Sequence, residues 1–396
     1  MTNINELIGE RLMTTYHRSE VTFVRGEGCW LYDDQGRKYL DFLAGIAVVS
    51  LGHANPRLAR AVAEQMAKLG HVSNLFGSEP MAQLADRLVG LTGLDRVFFA
   101  NDGATANEAA IKLARRYGQN TGGAERYRVV SLLDSFHGRT LATLAATGQP
   151  QKQATFAPLP PGFNQVPAGD IDALAAQVDD TTAAVLLETV QAEGGVFPMT
   201  DSYLRDVRAL CDARGALLII DEVQAGLGRT GQWFSWQDRG IEPDIATFAK
   251  ALANGLPIGA CLARQEVAAA FQPGDHGTTF GGGPVVCAAA LAVLDEIEER
   301  DLLANCRSRS AQLVAGLKQI EGVRDVRGRG LLLAAVLEGE FAAEVAARAL
   351  AGGLIVNAVR PDAIRLTPPL TVNAAEVDSA LDLLSKAMAP VGSLHA

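Results

Sequence analysis

The chain has 396 residues, and at ~100–200 residues per domain that is enough for two or three domains and a large buried core. Hydrophobic residues make up 48%, charged residues 20% and aromatics 6%, which excludes the low-hydrophobicity composition of a disordered chain. With 45 acidic against 35 basic side chains the net charge is −10, and no five Lys/Arg run together, so a nucleic-acid backbone would meet no basic footprint.

The first ten residues carry Glu6 and Glu10 and lack a basic start followed by an apolar core. The longest apolar runs stop well short of the ~18 residues of a membrane span, so neither export nor membrane spanning is expected. Cys29, Cys211, Cys261, Cys287 and Cys306 are odd in number and scattered, which predicts reduced, mostly buried thiols and a cytoplasmic protein.

In chain order, strand-like pieces at 29–33 and 38–42 flank an Asp34-Gln35-Gly36 turn. They are too few for a core and are expected to dock on the C-terminal part. Short apolar runs bounded by breakers predict strands over 97–100, 128–133, 183–188, 216–221, 245–249 and 258–263. Helical spacing predicts a helix over 104–117 with Gly118 as its stop, and another over 201–214 capped by Asp201 and ended by Gly215. The stretch 158–169, rich in Pro and Gly, reads as a surface loop. An Ala-rich helix over 284–300 follows, then the pattern restarts with strands at 331–337 and 354–356 between helices. The expected fold class is α/β, a large domain with a mainly parallel sheet plus a smaller α/β domain. The expected division is an N-terminal segment 1–50, a large domain 51–286 and a small domain 287–396.

Several segments can carry chemistry. The apolar run Leu217 to Ile220 ends in Asp221, and α/β sheets bind ligands at the carboxyl ends of their strands; an isolated Asp there also serves as a turn cap. Lys250 directly follows another strand in uncharged surroundings, where burial turns an ammonium into an amine nucleophile, although most lone lysines are solvated. Asn101-Asp102-Gly103-Ala104 opens a helix whose backbone N–H groups suit a phosphate or a plain cap. Gly277 to Gly283 adds Thr278 and Thr279 on a flexible backbone. Gly226-Leu227-Gly228-Arg229-Thr230-Gly231 spells a dinucleotide fingerprint, but it starts four residues after the strand and no clear helix follows, so the match is accidental. No Cys/His spacing suggests a metal.

Taken together, Asp221 to Gln224, Lys250, Gly103-Ala104, Phe136-His137-Gly138-Arg139-Thr140 and Thr278-Thr279 resemble the class III aminotransferases over nearly the whole chain. These are fold-type I enzymes dependent on pyridoxal 5′-phosphate (PLP). The resemblance implies that Lys250 binds the cofactor covalently and shuttles the substrate proton, while Asp221 keeps the ring nitrogen protonated. Gln224 would bond the phenolic oxygen, Phe136 and Val223 would sandwich the ring, and Gly103, Ala104 and the partner subunit's Thr279 would hold the phosphate. A homodimer with shared sites follows. Arg139 would take the substrate α-carboxylate, with Thr278 beside it, and Glu193 and Arg365 would form the pair that opens to admit a keto acid.

Within the family, Leu40-Asp41-Phe42-Leu43-Ala44-Gly45-Ile46-Ala47-Val48 is similar to enzymes whose donor is N2-acetyl-L-ornithine and whose acceptor is 2-oxoglutarate, in arginine biosynthesis. Ile46 stands where enzymes of free ornithine resemble one another in carrying Tyr. Other donors fitting the class are succinylornithine, ornithine, 4-aminobutyrate and succinyl-diaminopimelate; a non-catalytic PLP-fold scaffold is the reading outside it. Asp102, Thr105, Gly283 and Val49 depart from the common pattern, where Ser, Glu, Asn and Asn are usual.

Overall fold

A computed structural model describes residues 4–389. Seven strands form the central sheet, in the spatial order Arg96–Ala100, Gly259–Ala263, Ile245–Phe248, Leu217–Asp221, Thr182–Leu187, Arg128–Leu132 and Phe163–Val166. Gly259–Ala263 runs antiparallel to both neighbours, and the other pairings are parallel. Helices cover both faces, so the central strands are uniformly apolar rather than alternating. Leu218 and Ile220 pack on one side with Val185, Phe248 and the helix Pro284–Glu299. Leu217 and Ile219 pack on the other with Ala110, Ile111 and Ala114 of the helix Gly103–Gly122. Two-residue alternation thus sends neighbours in one strand into different cores.

A second core joins Leu40, Phe42 and Leu51 to Leu333, Leu354 and Leu384. Here Val323–Arg329, Leu332–Leu337, Ala363–Leu366 and Asn357–Arg360 make an antiparallel sheet. Leu354–Ile355 instead pairs in parallel with Leu40 and Asp41, extending the sheet of Phe23–Glu27, Trp30–Asp33 and Lys38–Asp41.

Four sequence expectations are corrected. Within the expected loop 158–169, Phe163–Val166 is an edge strand; its half-buried Asn164 and Gln165 and the preceding Pro-Pro-Gly conceal the strand pattern. The helix that opens at Gly103 does not stop at Gly118 but runs to Gly122. Gly118 is buried, and a Cβ there would lie 2.4 Å from the Arg126 carbonyl oxygen, so this glycine serves close packing. The cap of Asp201–Arg214 is Thr200, whose hydroxyl accepts from the Tyr203 N–H at 3.2 Å. Asp201 pairs with Arg239 at 2.7 Å instead. The strands Val323–Arg329, Asn357–Arg360 and Ala363–Leu366 were not expected, because interleaved Arg and Asp hide them. The remaining ends agree within one or two residues, as cap fraying allows.

Candidate active site

Asp221 ends its strand beside Ile245–Phe248, where its Cα partner is Thr247; Lys250 lies three residues further on. Both side chains line a cavity of about 460 Å³ at the carboxyl end of the sheet, with Gly103, Ala104, Phe136, Arg139, Val223 and Gln224. The left-handed backbone of Lys250, φ 38°, turns the chain out of the strand into a short 3₁₀ turn. Burial pushes the Lys250 ammonium down to about 8, against the pull of Glu193, so near neutrality a usable fraction is free amine.

The Asp221 carboxylate is only 4% exposed and is held from three sides. One oxygen accepts from the Val223 N–H at 3.0 Å; the other accepts from Asn107 Nδ2 at 2.8 Å and His137 Nδ1 at 2.9 Å. Because a carboxylate only accepts, this contact assigns the His137 proton to Nδ1. The Asn107 oxygen is itself used, by the Thr247 hydroxyl at 2.7 Å. The charge is therefore fixed in place facing the cavity, which suits a group that keeps a proton on a ring nitrogen.

At the start of Gly103–Gly122, Asp102 and Thr105 make a reciprocal capping box, the Asp102 carboxylate accepting from the Thr105 N–H and the Thr105 hydroxyl from the Asp102 N–H. The two departures from the family pattern thus compensate each other, with acid and hydroxyl exchanged between the two ends of the box. The Gly103 and Ala104 N–H groups in this first turn have no intrahelical acceptor and stay available for an anion. A Cβ at Gly103 would approach Val223 side-chain atoms to 2.7 Å, so only glycine keeps this wall open. Phe136 is held by its N–H to Glu188 at 3.0 Å. A buried Lys with a lowered proton affinity, a fixed carboxylate, an aromatic wall and a helix N-terminus around one cavity fit PLP.

Arg365 is buried, 1% exposed, and pairs with Glu193 at 2.5 Å; Gln224 bonds both, at 3.2 Å to Arg365 and 3.3 Å to Glu193. Burial opposes ionisation of Glu193, but Arg365 and Lys250 hold its carboxyl below the usual range. Thr278 lies at the edge, its hydroxyl accepting from Asn101 Nδ2 at 3.2 Å, while Thr279 faces a separate recess with Asn74 and Phe76. Ile46 is 38% exposed and does not line the cavity, whereas Val48 does. It sits in the turn Ala44–Ala47, where all four residues have positive φ, a strained conformation for a β-branched side chain.

Sequence reasoning gave no role to Asn107, His137 or Glu188. Asn107 lies one helical turn after Gly103, hence on the same face, and Glu188 follows a strand end as Asp221 does; both signals were readable. Burial and the nearby Asp221 charge raise the Glu188 carboxyl, which also accepts from the Ala192 N–H at 3.3 Å. Glu222 points away from the cavity and is pushed up to about 8 by burial, against bonds from Ser235.

A family model described as Aminotransferase class-III matches residues 13–388. An acetylornithine aminotransferase of Gloeobacter violaceus is 50% identical over 386 residues, covering 96% of both chains. Among solved structures, the ornithine aminotransferase of Toxoplasma gondii superposes with a TM-score of 0.93 at 29% identity, over 97% of this chain and 93% of that one. N-acetylornithine aminotransferase of Stenotrophomonas maltophilia gives 0.83 at 36% identity, over 97% and 98%. The fold is thus that of the PLP-dependent aminotransferases. The chain belongs to class III of these enzymes.

Proposed function

We propose that the enzyme transfers the δ-amino group of N2-acetyl-L-ornithine to 2-oxoglutarate, giving N-acetyl-L-glutamate 5-semialdehyde and L-glutamate, in arginine biosynthesis. What carries this reading is the convergence of Lys250, Asp221 and Arg139 on one cavity in a chain 50% identical to a relative named for that reaction. Bound PLP supplies the electron sink that stabilises the substrate carbanion.

The protein does the rest. Lys250 anchors the cofactor and, as a free amine, takes and returns the proton at the reacting carbon. Asp221, locked by Asn107 and His137, holds a proton on the ring nitrogen. Phe136 and Val223 would clamp the ring, Gln224 would bond its phenolic oxygen, and Gly103 and Ala104 would hold the phosphate with the partner subunit's Thr279. Arg139 binds the donor's α-carboxylate as a planar fork, with Thr278 at the same end. Glu193 neutralises Arg365 while the singly carboxylated end is bound; swinging away, it frees Arg365 for the second carboxylate of 2-oxoglutarate. Two residues before the cavity-lining Val48, the apolar Ile46 would offer no hydrogen bond to a free ammonium, a lack that an acylated nitrogen tolerates.

A homodimer completes the site in this reading. It is supported by exposed apolar side chains around the loop of Thr278 and Thr279, to which Asn74 is bonded: Leu75 at 87%, Phe280 at 69% and Phe76 at 68%, large apolar groups that suit a protein interface. Residues 1–50, 51–286 and 287–396 act as an N-terminal segment, a large domain and a small domain. No helix among the described residues is long and apolar enough to cross a membrane, and the free cysteines suit a cytoplasmic setting. Initial rates with 2-oxoglutarate and the donors acetylornithine, succinylornithine, ornithine, 4-aminobutyrate and succinyl-diaminopimelate test the assignment. A fastest kcat/KM with any donor but acetylornithine overturns it.

A further inference from the structure

Beside the cavity a second cleft of about 490 Å³ runs outward between Glu193 and Arg360, lined also by Gln149 and Lys152. Lys152 sits on the short helix Pro150–Ala154. Its neighbours pin that helix: Gln153 Nε2 donates to the carbonyls of Thr147 at 2.7 Å and Ala145 at 3.2 Å, and Gln149 Nε2 to that of Ser135 at 3.0 Å. Lys152 is thereby carried to the Phe136 ring, with Nζ 5.4 Å from its centroid. The Arg139 guanidinium stands 5.6 Å from the same centroid.

Two cations meet on one aromatic ring, and among the described residues neither has a hydrogen bond or an ion pair. The other basic residue of the cleft, Arg360, is occupied, donating to the Gly194 carbonyl at 2.8 Å. Outside its lining, Arg327 donates to the Gly195 carbonyl at 2.7 Å and Arg365 is paired with Glu193. The carboxylates of the same cleft are Glu193, paired with Arg365, and Asp134, beside Arg360, so a half-buried lysine sharing a ring with another cation keeps an uncompensated charge that a bound anion resolves. Burial and the Arg139 charge make the Lys152 proton easier to lose, against the opposing pull of Glu193, and a bound anion removes the remaining cost.

We infer that Lys152 is a further specificity-determining residue: with Arg139 it holds one carboxylate of the amino donor, selecting donors that carry a carboxylate at the end remote from the reacting amine. The inference rests on the aminotransferase reading of the cavity but not on which donor reacts fastest. It adds to the planar fork of Arg139 a second positive charge from another element, which shares the carboxylate's charge.

Binding to the PLP-loaded enzyme tests it, measured by calorimetry with N2-acetyl-L-norvaline, which keeps the carboxylate but lacks the amine. Lys152→Met is expected to weaken binding roughly five- to twentyfold, the range of a charge-assisted contact in a half-buried site. Lys152→Arg restores the affinity to within about twofold. In steady state Lys152→Met raises KM for acetylornithine with little change in kcat, and leaves kcat/KM for N-acetylputrescine, the same donor without its carboxylate, unaltered. Unchanged acetylnorvaline affinity in Lys152→Met overturns the inference, and so does equal loss for both donors, which marks a structural role. Lys152-dependent affinity in an enzyme that does not transaminate acetylornithine supports the inference and removes only the donor assignment.

Discussion

Replacing Asn107 with Leu keeps the branching at Cγ and removes the clamp on Asp221. In the native site Asn107 Nδ2 donates to the Asp221 carboxylate and to the His137 carbonyl, both at 2.8 Å, and its oxygen accepts from Thr247 at 2.7 Å. The side chain is 1% exposed, so water cannot replace these partners. The bond to the carboxylate is worth about 1.5–3 kcal/mol and each neutral one about 1 kcal/mol. Asn107→Leu should therefore destabilise by about 3–5 kcal/mol, a large part of the ~5–15 kcal/mol that holds a domain folded. Urea unfolding of the cofactor-free protein reads the loss. Thr247→Val, which removes only the donor to the Asn107 oxygen, should cost about 1–2 kcal/mol and so calibrates the local packing. The variant should also lose roughly ten- to a hundredfold in kcat, as partners that orient a functional group commonly do, because the carboxylate is no longer fixed toward the ring nitrogen. An unfolding midpoint and a kcat both indistinguishable from wild type would refute the reasoning.

Gly103→Ala should weaken PLP binding, because the added Cβ would come within 2.7 Å of Val223 and push it into the space of the ring; fluorescence titration of the apoprotein checks this, and unchanged affinity contradicts it. The rate of PLP uptake by the apoprotein should rise with pH through about 8, where burial places Lys250. Since Glu193 raises that value, Glu193→Gln should move the profile to lower pH, and a shift the other way would contradict the electrostatics. Phe280→Glu should shift sedimentation toward monomer, because Phe280 is 69% exposed in the patch assigned to the partner; an unshifted dimer places the interface elsewhere.

The parts of the fold that the sequence made legible are those where one local signal suffices. Leu217 to Ile220 ending in Asp221, and Ile245 to Phe248 followed by Lys250, are apolar strands with a chemical group at the carboxyl end, and they lie side by side. Phe163–Val166 was illegible because an edge strand with half-buried polar side chains lacks an apolar pattern. Gly118 misled because a glycine chosen for close packing against Arg126 and Ala183 looks like a helix stop. The position of Asn107 on the face of Gly103 was readable, but its clamp with His137 on Asp221 joins residues up to 114 positions apart, a tertiary pairing that no local pattern shows. Thr279 was named from the resemblance alone, since it lines a recess apart from the cavity of its own chain and no local pattern marks it.

The most direct test of the central claim is the ratio of kcat/KM for N2-acetyl-L-ornithine to that for L-ornithine, each with 2-oxoglutarate as acceptor. With the apolar Ile46 standing where a hydrogen-bonding phenol would serve free ornithine, the proposed reading predicts roughly a tenfold or greater preference for the acetylated donor, since an uncompensated polar group is the discriminating cost. Equal values, or a preference for free ornithine, would contradict the acetylornithine assignment.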